Sequence, residues 1–131
     1  MVVQQESPAV AVARVYTEAW SNHDWDKARE MVAPDVHVTA TSTQPMMPAT
    51  DLTGIDDYMD GLIKFAGAVE PGSARLIASV GDERNSLILL TVRAAFAPGG
   101  PTVTLQSARL AQLDENNKIQ AEQVLFFTLS D

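Results

Sequence analysis

Apolar residues recur three and four positions apart in the first part of the chain. Ser7 and Pro8 precede this stretch as an N-cap and a proline at the first helical position. The spacing predicts an amphipathic helix from Pro8 to about Trp20, and residues 1–7 are predicted to form a flexible tail. The apolar face of this helix carries Ala9, Val12, Ala13, Tyr16, Ala19 and Trp20.

A second, shorter helix and a first strand follow the sequence Ser-Asn-His-Asp. Asp24 is placed to cap this helix. Residues 36–41 alternate and are rich in β-branched side chains, which predicts a strand. The polar, proline-rich residues 42–51 are predicted to form a loop. The apolar face of the second helix carries Trp25, Ala28, Met31 and Val32.

A third helix is predicted after this loop. Thr53 and Asp56 have the spacing of a capping box, so Thr53 is expected to cap its N-terminus. The Gly- and Pro-containing residues 70–73 are expected to end it. Its apolar positions, spaced three and four apart, are Ile55, Tyr58, Met59, Leu62, Phe65, Ala66 and Val69.

The second half of the chain has the pattern of β-structure. Three turn segments rich in Gly, Pro, Asn and Asp separate four runs, which predicts strands over 74–80, 86–96, 102–113 and 118–129. The element order ααβαββββ indicates an α+β domain with helices gathered on one face of an antiparallel sheet. A cavity between sheet and helices is a usual place for a small ligand.

Composition narrows the choice of partners. The 131 residues include nine basic and 17 acidic ones, a net charge of −8, which argues against nucleic acid and anionic membrane surfaces. No cysteine is present, and the spacing of His23 and His37 is not that of metal ligands on one helical face, so no metal site is predicted. No glycine-rich phosphate loop is present either, and no cofactor is expected. Without a basic-flanked apolar start or a membrane-length run, we expect a cytoplasmic protein.

Three segments resemble the nuclear transport factor 2-like superfamily, in its SnoaL-like, ketosteroid isomerase-like branch. They are VYTEAWSNHDWDKAREMVAPDVHV, LTGIDDYMDGLIKF and SARLAQLDENNKIQAEQVLFF. The resemblance implies a single domain over residues 8–131 with a cystatin-like fold, in which a cone-like, strongly curved antiparallel sheet wraps around three helices. The superfamily hosts isomerases, cyclases, epoxide hydrolases, dehydratases and non-enzymatic binding modules, and its members commonly form dimers through the outer face of the sheet.

The resemblance to ketosteroid isomerases places some catalytic positions on this chain. Tyr16 matches their oxyanion-donating tyrosine, and Ser107 lies near their second oxyanion donor. Ala40 occupies the position of their general base, so that isomerisation is not expected here. Limonene epoxide hydrolases use acidic and arginine side chains where this chain has Leu89, Thr91 and Val124.

The last hairpin offers a different polar pair. A four-residue turn over 114–117 would set Arg109 directly opposite Glu122, on the face that the resemblance turns toward the cavity. Inside an apolar cavity this pair would anchor a ligand or act as an acid/base relay. The alternative is a cross-strand salt bridge at the open, wet end of the sheet.

Other residues are candidates for contact with a ligand. Tyr16 is the third candidate catalytic residue, as a hydrogen-bond donor, although aromatic residues at helical spacing are more often core. Met46 and Met47 would form an adaptable lid or fill space under their loop. The expected pocket-lining residues are Trp20, Ala40, Leu62, Phe65, Ser107, Val124 and Phe126.

Two function hypotheses remain open at the level of sequence. The first is a SnoaL-like pocket protein for a small hydrophobic molecule, with cofactor-independent isomerase, cyclase or hydrolase type acid–base chemistry. The second is a non-catalytic ligand-binding or dimeric assembly module that lacks the family's catalytic acids. A homodimer is expected through the outer sheet face, where Leu89, Leu125 and Phe127 would lie. His23 is expected in a solvent-facing turn and His37 on the outer surface.

Overall fold

A computed structural model describes residues 6–42, 49–95 and 99–128, apart from the side chains of Ser42, Phe127 and Thr128. Three helices and six strands lie in these ranges. Met46 and Met47 lie outside the described residues, as do residues 1–5 of the predicted tail. The elements are α1 (Pro8–Ser21), α2 (Trp25–Glu30), β1 (Val32–Ser42), β2 (Thr50–Thr53), α3 (Ile55–Ala66), β3 (Arg75–Gly81), β4 (Asn85–Ala94), β5 (Val103–Leu113) and β6 (Ile119–Thr128).

The first two helices begin with the caps that the sequence predicts. Ser7 Oγ accepts a hydrogen bond from the Val10 backbone N–H at 3.2 Å, and Pro8 is in the first turn. The Asp24 side chain accepts one from the Lys27 N–H at 3.4 Å. These bonds satisfy backbone donors that the first helical turn leaves without a partner.

The predicted cap of the third helix is wrong. The N-cap of α3 is Gly54, which has φ +94° and provides no side-chain hydrogen bond. Thr53 is instead the last residue of β2 and pairs with His37. Gly54 accommodates the left-handed conformation with which the chain leaves the strand and enters the helix, a conformation that costs other residues more.

The end of the predicted loop forms the short edge strand β2. It runs antiparallel to β1, from Thr50 opposite Ala40 to Thr53 opposite His37. Its side chains alternate between half-buried and exposed. A strand of four residues at a sheet edge carries little hydrophobic signal of its own, and it forms because β1 offers free backbone groups to pair with.

The six strands form one curved sheet in the order β2-β1-β6-β5-β4-β3. Neighbouring strands are antiparallel, except that β1 and β6 run parallel with Val38 beside Glu122 and Ala40 beside Val124. The helices from the first half of the chain pack against the sheet, and the α+β, cystatin-like fold expected from the sequence is confirmed. The last strand therefore lies in the interior of the sheet, between β1 and β5.

The predicted register of the β5–β6 hairpin is wrong by two residues. Arg109 lies opposite Val124, and Glu122 lies opposite Ala111. Asp114 and Lys118 close the turn with a backbone hydrogen bond of 2.8 Å, and Asn117 has φ +60°. The turn thus has one residue fewer than predicted, and an irregularity between Gln112 and Leu113 shifts the register by one more.

Burial alternates along the central strands, as expected for a sheet with one covered face. On β4 the side chains of Ser86, Ile88, Leu90 and Val92 are buried, whereas Leu87 is exposed. The error of two residues in the predicted hairpin register does not change the face on which each side chain is predicted to lie, because side chains change face with a period of two. Arg109 and Glu122 are consequently both on the inner face, as predicted.

Gly81 is the last residue of β3, and there is no room for a side chain at this position. A substitution there tests how closely the start of α1 packs on the sheet. A Cβ atom there would lie 2.5 Å from the Asn85 carbonyl oxygen and 3.0 Å from Ser7 Oγ. We expect Gly81→Ala to lower the free energy of unfolding in urea by roughly 1–3 kcal/mol, as overpacking does. Gly67→Ala is the control, since its φ is −62° and its nearest contacts are 3.4 Å or longer. An equal loss in both variants would contradict this account.

Candidate functional site

Arg109 and Glu122 form an ion pair inside the domain. Arg109 Nη1 lies 3.4 Å from Glu122 Oε1, and the two side chains are only 5% and 3% exposed. The alternative of a salt bridge at a wet end of the sheet is therefore wrong. The pair forms despite the offset between Val124 and Glu122, because arginine is long enough to span two positions along the neighbouring strand.

Two tyrosines extend the ion pair toward the helices. Tyr58 on α3 donates its hydroxyl hydrogen to Glu122 Oε1 at 3.1 Å. The hydroxyls of Tyr58 and Tyr16, the latter on α1, are hydrogen-bonded to each other. Because Tyr58 donates to the carboxylate, its oxygen is left to accept from Tyr16. A chain of hydrogen bonds thus runs from α1 through α3 to β6.

The Arg109 guanidinium has partners on its other sides. Its Nε donates to Ser107 Oγ at 3.2 Å. Its central carbon lies 4.8 Å from the centre of the Trp20 ring and 5.8 Å from that of Phe126, distances at which a cation is attracted to an aromatic face. Arg109 is therefore fixed by an ion pair, a hydroxyl and two rings.

Both tyrosines stay protonated over the ordinary pH range. Burial is the main cause that raises the pKa of Tyr16 well above its usual value, and the negative charge of Glu122 adds to it. Burial and Glu122 raise the pKa of the Tyr58 hydroxyl in the same way. A phenolate beside a carboxylate in a low-dielectric interior would be costly, so both side chains act as hydrogen-bond donors.

A cavity of about 10 Å³ lies beside this cluster. This is close to the smallest volume that holds one water molecule. A larger ligand could occupy it only if side chains around it moved. All three residues that the sequence predicts as catalytic line it; the polar residues in its wall are Tyr16, Thr17, Ser86, Arg109 and Glu122.

The residues predicted to line a pocket lie in the interior, on the apolar side of the cluster. Ala40 and Phe65 are half-buried and pack against the core. The Phe65 ring is 6.0 Å from Trp20 and 4.9 Å from Phe126, centre to centre. Contact of this set with a ligand stays a prediction. Its buried members are Trp20, Leu62, Ser107, Val124 and Phe126.

The two histidines are exposed, and their hydrogen-bond partners are outside the Arg109–Glu122 cluster. His23, with φ +62°, stacks on Trp25 and places Nε2 3.1 Å from the Ala66 carbonyl oxygen. His37 Nε2 lies 2.7 Å from Asp51 Oδ1, which links β1 to β2. Within the described ranges no three His, Asp or Glu side chains converge in a way that could hold a metal ion.

Sequence reasoning missed three residues of the site: Thr17 and Ser86 in the cavity wall, and Tyr58, which bonds to Glu122. Of these, Tyr58 is the one that contacts the acid. It was assigned to the apolar face of α3, where its spacing fits the core pattern. The available signal is its hydroxyl, since a tyrosine on a buried helix face needs a hydrogen-bond partner. The position of that partner, 64 residues further along the chain, is not predictable from local spacing.

Comparison with known proteins agrees with this architecture. A family model for the SnoaL-like domain matches residues 12–122. The chain belongs to this family. No curated protein sequence matches the SnoaL-like chain significantly. In the described part of the chain no helix is long and apolar enough to cross a membrane.

Solved structures share the SnoaL-like fold at low sequence identity. A steroid delta-isomerase from Pseudomonas aeruginosa is similar with a TM-score of 0.66 at 15% identity, over 95% of this chain and 83% of its own. A Jannaschia protein assigned as a SnoaL-like polyketide cyclase has a TM-score of 0.74 at 17% identity, over 95% and 91%. A Rhodopseudomonas palustris protein assigned as an isomerase has 0.75 at 10% identity, over 94% and 91%. These identities show a shared fold alone.

The two buried tyrosines give the chain a simple pH signature, because it contains no others. Their folded pKa values are raised above that of the unfolded chain, so their contribution to stability is present below about pH 10 and is lost as pH rises further. We expect no tyrosinate absorbance at 295 nm near pH 10.5 while the protein is folded. The same protein in guanidinium should titrate near pH 10. Native titration with that midpoint would contradict the burial of both hydroxyls.

Proposed function

We propose that this SnoaL-like protein binds a small hydrophobic molecule next to Glu122 and acts on it by cofactor-independent acid–base chemistry. The observation that carries the proposal is a buried carboxylate whose Oε1 is held by Arg109 and Tyr58. Buried titratable groups with specific charge partners are typical of functional sites. Structural neighbours assigned as an isomerase and as a polyketide cyclase use the same fold, which supports this class of chemistry.

Each polar residue has a role in the proposed chemistry. Glu122 takes a proton from the substrate or returns one to it. Arg109 orients the carboxylate through Oε1. Tyr16 is a hydrogen-bond donor whose present acceptor is Tyr58.

The surroundings of the cluster favour an apolar substrate. Trp20, Phe65 and Phe126 form an aromatic group beside Arg109. Once side chains move to admit it, a ring-containing molecule would pack against these aromatic rings, and the polar centre beside them would fix the orientation of its carbonyl or hydroxyl group. This combination supports a hydrophobic, ring-containing substrate with at least one oxygen.

A second candidate is a non-catalytic binding or assembly module of the same fold. The observation that favours it is the small size of the cavity beside Glu122, about 10 Å³. A second observation is that the position of the isomerase base is occupied by Ala40, which lies on β1 beside Val124 and has no acidic group. In this case Arg109 and Glu122 would serve only to order the interior.

A carboxamide at position 122 separates the two candidates. We expect native mass spectrometry of the purified protein to identify a co-purified hydrophobic ligand, and that compound then serves as the probe. Glu122→Gln should lower its turnover by about 10²–10⁴-fold, the usual contribution of general acid–base catalysis. Glu115→Gln is the matched control, because Glu115 is exposed in the β5–β6 turn. Unchanged turnover in Glu122→Gln, or binding without turnover in the native protein, would favour the non-catalytic module.

The outer face of the sheet supports a homodimer. Val80, Leu87 and Leu110 lie side by side on adjacent strands, and we call them, together with Leu125, the outer apolar patch. Their exposures of 65%, 45%, 37% and 42% are high for large apolar residues grouped together. Leu89 is half-buried, and the Phe127 side chain is outside the described part. We propose a second copy of the chain as the partner; the cytoplasmic location stays a prediction.

A charge in the patch tests the dimer. We expect Leu110→Glu to convert a dimer into a monomer in sedimentation velocity, since two buried copies of the carboxylate would face each other across a twofold interface. Ile63→Glu is the control, because Ile63 is also exposed, at 42% against 37% for Leu110, but lies on α3. A dimer that persists in Leu110→Glu would place the interface elsewhere.

A further inference from the structure

Ser86 has a buried hydroxyl that the fold does not use. It lies near the start of β4, is 2% exposed, and its Oγ has no hydrogen-bond partner among the described residues. An unpaired hydroxyl in a protein interior is destabilising, because its hydrogen bonds to water are lost on folding and not replaced. Such a group calls for a specific explanation, and a bound molecule is one.

The second group is the carboxylate of Glu122, whose two hydrogen bonds are shared unevenly between its oxygens. Both of its hydrogen bonds, from Tyr58 and from Arg109, are made to Oε1. Oε2 accepts no hydrogen bond from any residue that the structure describes. A carboxylate can accept several hydrogen bonds, so one side of this buried acid remains available.

The cavity beside the cluster joins these two groups. Ser86 and Glu122 both line it, together with Thr17, whose Oγ1 donates to the Ala13 carbonyl oxygen at 2.7 Å. Thr17 can therefore still accept a hydrogen bond. The cavity has a volume of about 10 Å³ and offers at least three polar atoms, which meets the requirement for one ordered water.

We propose that this cavity binds one water molecule, which bridges Ser86 Oγ and Glu122 Oε2. The water donates one hydrogen to Oε2 and the other to Thr17 Oγ1, and it accepts a hydrogen bond from Ser86. A cation is disfavoured by Arg109 in the wall and an anion by Glu122. A neutral ligand of one heavy atom that both donates and accepts satisfies all three groups.

The bound water also has a consequence for the proton exchange of Glu122, and this consequence rests on the proposed function. Oε1 is committed to Arg109 and Tyr58, so Oε2 is the oxygen that exchanges protons. The water is the group in contact with it. Substrate protons taken up by Glu122 can then exchange with solvent hydrogen only as fast as this water does.

Magnetic relaxation dispersion of ¹⁷O water tests the site directly, because it counts waters that stay bound longer than the protein takes to rotate. We expect the dispersion amplitude to fall by that of about one water in Ser86→Val, where an added methyl group takes the place of the water. Ala111→Val should cause the same loss from the facing strand, since Ala111 pairs with Ser86 and also lines the cavity. Ser79→Val, on the exposed face of β3, should leave the amplitude unchanged.

An unchanged amplitude in folded Ser86→Val or Ala111→Val would overturn the proposal, as would a native protein without any dispersion. The two positions are on different strands, so failure of one variant to fold leaves the other as the test. The measurement needs no substrate and no turnover. A loss of activity limited to Glu122→Gln therefore bears on the proposed function alone, and the relaxation result bears on the water alone.

Discussion

Moving a charged side chain from water into a protein interior costs several kcal/mol, and only close, well-directed partners recover that cost. Arg109 and Glu122 impose this requirement on the whole domain. Oε1 of the acid takes the guanidinium of Arg109 and the hydroxyl of Tyr58. Tyr58 is in turn bonded to Tyr16 of α1. Parts of α1, α3, β5 and β6 must therefore meet around one carboxylate, and the inner face of the sheet is organised around a polar centre rather than a purely apolar one.

The position of β6 explains how bulk solvent is kept away from this centre. An edge strand would leave Glu122 open to solvent on one side, but β6 lies between β1 and β5, and Tyr58 of α3 reaches the carboxylate from the helical side. Val38 is the partner of Glu122 on β1, and Ala111 is its partner on β5; both are buried. A group held in this way has strong electrostatic interactions with whatever approaches it, which is the condition that acid–base catalysis and specific binding share.

The sequence predicts the fold and the main polar pair well, and the reasons are physical. The inward direction of Arg109 and Glu122 depends only on the alternation of strand residues, and it survives an error of two in the hairpin register. The Tyr58 bond to Glu122 and the edge strand β2 depend on tertiary pairing that no local pattern contains. The resemblance to ketosteroid isomerases puts Ala40 at the position of the general base. In the structure Ala40 pairs with Val124, two residues along β1 from Val38, which pairs with Glu122.

The parallel pairing of β1 with β6 has a consequence for how the chain reaches this structure. Val38 and Glu122 come from opposite ends of the domain, and every residue between them must be made before they can meet. Contacts between such distant parts of a chain form slowly, because a long loop has to close first. On the ribosome the tyrosines of α1 and α3 emerge long before their carboxylate partner does. The buried centre thus cannot assemble before β6 is made, and until then the nascent chain offers a free β1 edge to other strands.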